Sequence, residues 1–237
     1  KRLAIIPARG GSKRIIKKNI KDFCGKPIIS YSLKAARDSD LFDIIHVSTD
    51  CDDIADVVTS LGFNIDFKRT DKLSDDHTPI MPVINWTIEQ YQAKNIFFDE
   101  VVLIMPCSPF IKSSDLKEAS RLMDKSQRAK PVIAISDYPV PIEWAFKRDS
   151  KNGSLAPVYP GMFKQRSQDI EKKYFDTGSF IFFPIQHIHK SSKEGDDASF
   201  IGYPLEKMKS IDIDDPKDWE FAEMIMHALN LKENDNN

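Results

Sequence analysis

The sequence is poor in the residues that crosslink small secreted proteins or hold structural metals. It contains three cysteines in 237 residues, at positions 24, 51 and 107, and their spacing matches no metal site. We therefore expect a reducing, cytoplasmic setting and a core that folds without disulfides. No apolar run is long enough to cross a bilayer and no secretory leader is recognisable, so the sequence predicts no contact with a membrane.

Two common nucleotide-binding motifs, G-x-G-x-x-G and G-x-x-x-x-G-K-[ST], are also missing. The chain has 34 basic and 36 acidic residues, and this balance argues against nucleic acid as a partner. Residues 1–26, however, contain nine of the basic residues and one of the acidic ones, a local charge of +8 that leaves −10 for the remainder. A charge confined to one short segment indicates a focused site for a small anion.

This basic segment follows an apolar strand pattern at residues 3–7. Gly10 and Gly11 come next, and glycine can adopt backbone conformations that turn successive N–H groups toward one anion. Cations and a hydroxyl donor surround the glycines: Arg9, Ser12, Lys13, Arg14, Lys17 and Lys18. A merely solvated loop is the alternative, but the order of strand, glycines and cations favours a loop that binds the phosphates of a nucleotide.

Strand and helix patterns alternate through the first half of the chain. The predicted strands cover residues 3–7, 44–48, 65–67, 100–105 and 131–136, and the predicted helices cover 27–37, 52–61, 81–92 and 114–125. A further strand at 175–183 and a helix at 216–229 complete one domain, residues 1–237. The alternation predicts an α/β fold with a mostly parallel sheet between helices, and ligands of such sheets bind at the carboxyl ends of the strands.

The alternation fails between residues 138 and 175. This stretch combines prolines, a polar turn at 149–153 and several aromatic residues. A long structureless loop is unusual inside a compact domain, so we expect a protruding arm built of strands.

Two carboxylates near the C-terminus form a candidate metal site. If the chain is extended there, Asp212 and Asp214 face the same way, and paired carboxylates suit Mg²⁺. Asp214 or Asp215 could instead cap the helix that begins near Pro216. We expect both uses together, with Asp215 as the cap and Asp212 and Asp214 as the metal pair. A similar choice applies to Asp50, which follows the second strand and could bind a ribose hydroxyl or a base, or cap the next helix.

Several motifs together resemble one family, the CMP-sugar-acid synthetases, and the resemblance covers nearly the whole chain. The matching segments are 6–13 (IPARGGSK), 18–19 (KN), 25–28 (GKPI), 47–50 (VSTD), 69 and 73–74, 106–110 (PCSPF), 166–169 (RSQD) and 211–214 (IDID). The segment from residue 166 to 178 looks most like the branch that activates pseudaminic acid. Met105 and Cys107 stand where the sialic acid branch usually has Gln and Thr, which argues against sialic acid itself.

The resemblance implies a Rossmann-like, GT-A-like nucleotidyltransferase fold and a homodimer built through the arm. It implies transfer of CMP from CTP to a nine-carbon 2-keto sugar acid (a nonulosonic acid), with Mg²⁺ as cofactor and pyrophosphate as the second product. Its metal pair maps onto Asp212 and Asp214, and Arg69 resembles its position that contacts the nucleotide base. From the residue types we assign catalysis to Arg9, Lys13, Lys18 and Asp214. The nucleotide-binding candidates are Ala8, Arg9, Gly10, Gly11, Ser12, Lys18, Asn19, Asp50 and Arg69, and the sugar-binding candidates are Ser108, Arg166, Gln168, Tyr174 and Phe175.

Three alternatives stay open at this point. The chain could transfer a different nucleotide or act on a different acid, including sialic or legionaminic acid. It could also be a regulator that binds a nucleotide without catalysis.

Overall fold

The computed structural model describes residues 1–191 and 199–235. Its strands are β1 (Arg2–Pro7), β2 (Asp22–Phe23), β3 (Lys26–Pro27), β4 (Ile44–Ser48), β5 (Glu100–Ile104), β6 (Val132–Asp137), β7 (Phe146–Arg148), β8 (Leu155–Pro157), β9 (Tyr174–Pro184) and β10 (Ile201–Pro204). Its helices are α1 (Ile29–Ser39), α2 (Asp52–Ser60), α3 (Ile80–Gln92), α4 (Ser113–Lys125), α5 (Ile185–Ser191) and α6 (Pro216–Asp235).

Six strands form the central sheet in the order β10-β6-β9-β5-β1-β4. Strand β1 is parallel to β4 and β5, and β10 is parallel to β6. Strand β9 is antiparallel to both of its neighbours, so it alone among the six reverses direction. The expectation of a mostly parallel sheet is confirmed. The carboxyl ends of β1, β4 and β5 share one edge of the sheet with the amino end of β9, and this edge carries the site described below.

Alternating side chains of β1 enter two different apolar layers. Ala4 and Ile6 pack on the side of α1, α2 and α4, whereas Leu3 and Ile5 pack on the side of α3 and α5. This period of two explains why β1 is apolar throughout, since both of its faces are covered by helices. None of the helices within residues 1–191 and 199–235 has the length and apolar composition that a membrane span requires.

A third apolar cluster joins the two ends of the chain. Trp219 on α6 packs edge-on against Phe23, with ring centroids 5.3 Å apart, and Ile213 is buried in the same cluster. Burial of these side chains holds the segment before α6 against the loop that follows β1. The packing therefore decides which residues face each other at the sheet edge.

Two predicted elements were wrong in detail. Residues 65–67 form no strand, because Phe67 is held by ring packing on His46 and Tyr91 while β4 remains at the edge of the sheet. Helix α1 begins at Ile29 and not at Pro27, since Pro27 pairs with Asp22 in the short β2–β3 ladder.

The segment between β6 and β9 leaves the sheet, and the Tyr138 N–H closes its base by donating to the Lys173 carbonyl at 3.1 Å. Within it, β7 and β8 form an antiparallel hairpin whose residues are all exposed. Phe163 packs on Phe146 with ring centroids 4.8 Å apart, yet its side chain stays 52% exposed. We call residues 138–173 the arm; its part in dimer formation stays a prediction.

Candidate active site

A cleft of about 470 Å³ opens at the sheet edge where β1, β4 and β5 end. Five separate segments of the chain line it: the loop after β1, the segment from Arg69 to α3, the residues after β5, the start of β9 and the segment before α6. Its cationic and acidic lining residues are Arg9, Lys13, Arg14, Lys18, Arg69, Asp75, Asp76, Asp212 and Asp214. Ser12 and Asn19 line it as well.

The loop after β1 is fixed by contacts of its backbone. The Gly10 N–H donates to Asp50 Oδ1 at 3.0 Å, and the buried Asn19 amide donates to the Arg9 carbonyl at 3.0 Å. A Cβ atom added at Gly10 would lie 2.9 Å from the Cβ of Cys51, so the loop can approach the end of β4 only without a side chain there. Asp50 thus holds the loop and does not cap α2, whose N-cap position is Cys51.

The loop meets the segment before α6 directly. Lys18 Nζ donates to the Ile213 carbonyl at 2.7 Å and lies 3.5 Å from Asp214 Oδ1. Arg14 Nη2 lies 3.1 Å from the same carboxylate oxygen. The structure therefore places the N-terminal cations and the C-terminal carboxylates in one cleft, as the sequence led us to expect.

The N-cap of α6 is formed by Asp215 and not by Asp212 or Asp214, so these two carboxylates can serve as metal ligands. Asp215 Oδ1 accepts hydrogen bonds from the N–H groups of Lys217 and Asp218, at 2.7 and 3.0 Å. This is the N-cap arrangement predicted for Asp215. Asp218 in turn accepts from the Asp214 and Asp215 N–H groups, so the acidic turn is rigidly hydrogen-bonded.

Asp212 and Asp214 fit a magnesium ion by the chemistry of their oxygens. Partial desolvation in the cleft and the neighbouring Asp214 charge raise the pKa of Asp212, although its side chain still reaches solvent. A divalent cation would relieve this repulsion. Within the described residues no group of three or more His, Cys, Asp or Glu side chains could hold a metal, so the further ligands of Mg²⁺ would be phosphate oxygens and water.

Another carboxylate of the cleft, that of Asp76, was missed by the sequence analysis. Asp76 Oδ1 accepts from Arg9 Nη1 at 2.5 Å, and its other oxygen pairs with Lys13. The Lys13 and Arg9 contacts lower the pKa of Asp76 below its ordinary value. The contact could not be predicted from a local sequence pattern, because Arg9 and Asp76 lie 67 positions apart in the chain.

Arg69 is buried at the base of the cleft, with 6% of its surface exposed. Its Nη2 donates to the Ser48 carbonyl at 2.6 Å, and its Nη1 to the Leu73 carbonyl at 3.4 Å. Among the residues that the structure describes, none accepts a hydrogen bond from the buried Nε of Arg69, and desolvation lowers the pKa of the guanidinium. A buried donor without an acceptor is costly, so this N–H suits a ligand acceptor.

Cys107 lies beside Asn19, to whose Oδ1 it donates at 3.4 Å. Burial raises the pKa of this thiol to about 12, because the low-dielectric surroundings disfavour the thiolate. A thiol that stays protonated at neutral pH is a poor nucleophile, so the surroundings of Cys107 disfavour a role in covalent catalysis.

The sugar-binding candidates divide into two groups. Ser108 lines the cleft, together with Thr177 and Gly178 at an irregularity of β9. Arg166, Gln168, Tyr174 and Phe175 are absent from the lining of the cleft in the described chain. Arg166 is paired with Asp169 on the arm at 2.9 Å, and Phe175 packs on Tyr138. Their role stays a prediction that requires a contact beyond this single chain.

The fold and the charged cleft define a nucleotidyltransferase. Residues 3–184 match the family model described as cytidylyltransferase. The chain is 36% identical over 231 residues to the pseudaminic acid cytidylyltransferase of Campylobacter jejuni subsp. jejuni serotype O:2, covering 95% of this chain and 96% of that protein. It is 31% identical to the CMP-N,N'-diacetyllegionaminic acid synthase of Legionella pneumophila, covering 94% and 95%.

A solved structure shares the fold at low sequence identity. The CMP:2-keto-3-deoxy-manno-octonic acid synthetase complexed with CTP superposes with a TM-score of 0.72 at 14% identity, covering 96% of this chain and 99% of that one. The chain belongs to the cytidylyltransferase family and is a nucleotidyltransferase enzyme.

Proposed function

We propose that this protein joins CMP from CTP to a nine-carbon 2-keto sugar acid, pseudaminic acid first among them, and releases pyrophosphate. The observation that carries the proposal is the direct contact of Lys18 and Arg14 with Asp214, which puts phosphate-binding cations and a carboxylate pair in one cleft. The relatives whose names include pseudaminic and legionaminic acids support the choice of acid.

The reaction needs alignment and charge neutralisation more than covalent help from the protein. The anomeric 2-hydroxyl of the acid would attack the α-phosphorus of CTP in line, and the bond to the departing pyrophosphate would break opposite it. Arg9, Lys13 and Lys18 would hold the triphosphate, and their charge would count most as negative charge builds on the leaving group. The Gly11 N–H would support the same phosphates, since the Gly10 and Ser12 N–H groups already donate to Asp50 Oδ1 and to the Gly10 carbonyl.

Asp212 and Asp214 would hold a magnesium ion beside these cations. When bound, Mg²⁺ would neutralise phosphate charge and help orient the reacting groups. Lys18 and Arg14 contribute separately, because they fix the Asp214 carboxylate in the cleft through contacts of 3.5 and 3.1 Å.

Arg69 is the candidate for recognition of the cytosine base. Its unpartnered buried Nε could donate to a base acceptor, and its two terminal nitrogens are already held by backbone carbonyls. A rigid donor in a dry site discriminates well, since a base without a matching acceptor leaves the N–H unpaired.

The exposed apolar side chains of the arm support a homodimer. Val140, Leu155 and Phe163 are 60%, 58% and 52% exposed, and an apolar group of this kind is typical of an interface. In such a dimer, Arg166 and Gln168 on the arm of one subunit would be able to reach the cleft of the other subunit. The free cysteines fit the cytoplasm as the compartment.

A product assay tests the proposed reaction. Purified protein with Mg²⁺ should release pyrophosphate from CTP, but not from UTP, GTP or ATP, when pseudaminic acid is present. Legionaminic and sialic acids should be poorer acceptors. Asp214→Asn serves as the matched control and should lose activity. Faster turnover with another nucleotide or another acid would contradict the assignment, and binding of CTP without turnover would favour a regulator.

A further inference from the structure

Two acidic side chains line the cleft outside the proposed metal site, Asp75 and Asp76, and the proposed function gives Asp76 no role. Asp76 contacts both Arg9 and Lys13, two of the three cations that the proposed function assigns to the triphosphate. Its carboxylate therefore occupies the position that an anionic ligand would need. We propose that Asp76 is an internal anion that neutralises these cations in the empty protein and leaves them when the nucleotide binds.

The surrounding segment holds Asp76 in this place. The neighbouring Asp75 uses Oδ1 to accept from the N–H groups of His77 and Thr78, at 2.7 and 2.6 Å, and from the Thr78 hydroxyl at 3.0 Å. The Arg69 N–H donates to the Thr49 carbonyl at 2.8 Å and anchors the segment at its start. A tight turn, fixed on both sides, directs the next carboxylate toward the loop after β1.

The environment of Asp76 differs from that of a metal ligand. Asp75 beside it is engaged in its own turn, and no metal-binding group of three acidic or imidazole side chains exists within the described residues. Asp214, which also pairs with two cations, has a second carboxylate nearby, because its charge contributes to the raised pKa of Asp212, and paired carboxylates suit a divalent ion. Asp76 has only cations as partners among its recorded contacts.

Displacement of Asp76 requires only a movement of its side chain. The Asp76 and Arg9 side chains are 29% and 34% exposed, and that of Lys13 is 80% exposed, so water can replace the carboxylate. Ion pairs at this exposure are weak, whereas a nucleotide triphosphate brings several charges and can form many contacts at once. The Asp76 carboxylate thus lowers the affinity of the cleft for phosphates but does not prevent their binding. It also holds the Arg9 and Lys13 side chains in position until the nucleotide displaces it.

This inference rests on the proposed function, because it takes Arg9 and Lys13 as ligands of the nucleotide. It predicts that Asp76→Asn tightens the binding of CTP with Mg²⁺, and of pyrophosphate alone, by about three- to tenfold, the range expected for loss of two partly exposed ion pairs. Asp76→Glu should bind like the wild type. Because one more positive charge is free, the affinity of Asp76→Asn should also depend more steeply on salt.

Titration calorimetry of CTP and pyrophosphate tests the proposal, with thermal unfolding to check that each variant is folded. Asp53→Asn is the matched control: Asp53 pairs with Lys17 on the outer side of the same loop, and its loss should leave both affinities unchanged. Should Asp76→Asn not fold, Asp76→Ser takes its place. Equal or weaker binding by Asp76→Asn, or by Asp76→Ser where it takes its place, with a wild type that binds, overturns the inference alone. A wild type that binds neither ligand overturns the proposed function and this inference together.

Discussion

Replacement of Lys18 by methionine removes one of the two cations that join the loop after β1 to the segment before α6. The substitution keeps the length of the side chain but deletes the hydrogen bond of 2.7 Å to the Ile213 carbonyl and the charge 3.5 Å from Asp214. A hydrogen bond from a charged donor contributes about 1.5–3 kcal/mol. Since the Lys18 side chain is 22% exposed, we expect the free energy of unfolding to fall by about 1.5 kcal/mol, the lower end of that range.

The effect on turnover should be larger. Loss of a positioned cation at a departing oxyanion typically lowers turnover about a hundredfold or more. Pyrophosphate release at saturating CTP and acid measures turnover, and urea unfolding measures stability. Lys17→Met is the neighbouring control, because Lys17 pairs with Asp53 outside the cleft and should affect turnover little. Turnover within a few fold of wild type in folded Lys18→Met would refute the role assigned to this contact.

Two further predictions concern the core and the arm. Burial lowers the pKa of His46 to about 4, because the low-dielectric core disfavours the charged imidazolium. The unfolded chain therefore binds a proton at His46 more readily than the folded chain does. The free energy of unfolding consequently falls as the pH is lowered from about 6.5 toward 4, and we expect a loss of about 2 kcal/mol between pH 7 and 5. Between pH 7 and 5, the free energy of unfolding measured with urea should fall by about 2 kcal/mol less in His46→Gln than in the wild type. An equal fall in both proteins would contradict the assignment. Leu155→Glu on the arm should convert a dimer to monomers in sedimentation experiments. Leu231→Glu should not, although Leu231 on α6 is slightly more exposed, at 66% against 58%. A monomeric wild type would contradict the proposed interface.

Much of the fold could be predicted because strand and helix periodicity is local. The pattern at residues 3–7 is apolar on both faces, and β1 is indeed covered on both. The direction of β9 could not be predicted, since the period of two is the same for parallel and antiparallel strands. Residues 65–67 were wrongly predicted as a strand, because the apolar side chain of Phe67 packs against the rings of His46 and Tyr91 and its backbone joins no sheet.

The site could be predicted where a motif carries the chemistry. The loop after β1 and the pair Asp212 and Asp214 were recognised from their residue types, and the structure brings them together. Asp76 was missed because a polar segment with several aspartates is ordinarily solvated, and only the tertiary fold brings it to Arg9. The proposed sugar-binding role of Arg166 and Gln168 depends on contacts with a second subunit, which the structure of a single chain does not contain.

Labelled CTP gives the most direct test of the central claim, that the charged cleft transfers CMP to a sugar acid. With label on the α-phosphorus and pseudaminic acid present, the account predicts that the label appears in a CMP-sugar, whereas label on the γ-phosphorus appears in pyrophosphate. Label recovered as free CMP regardless of the acid, or left in CTP, would contradict it.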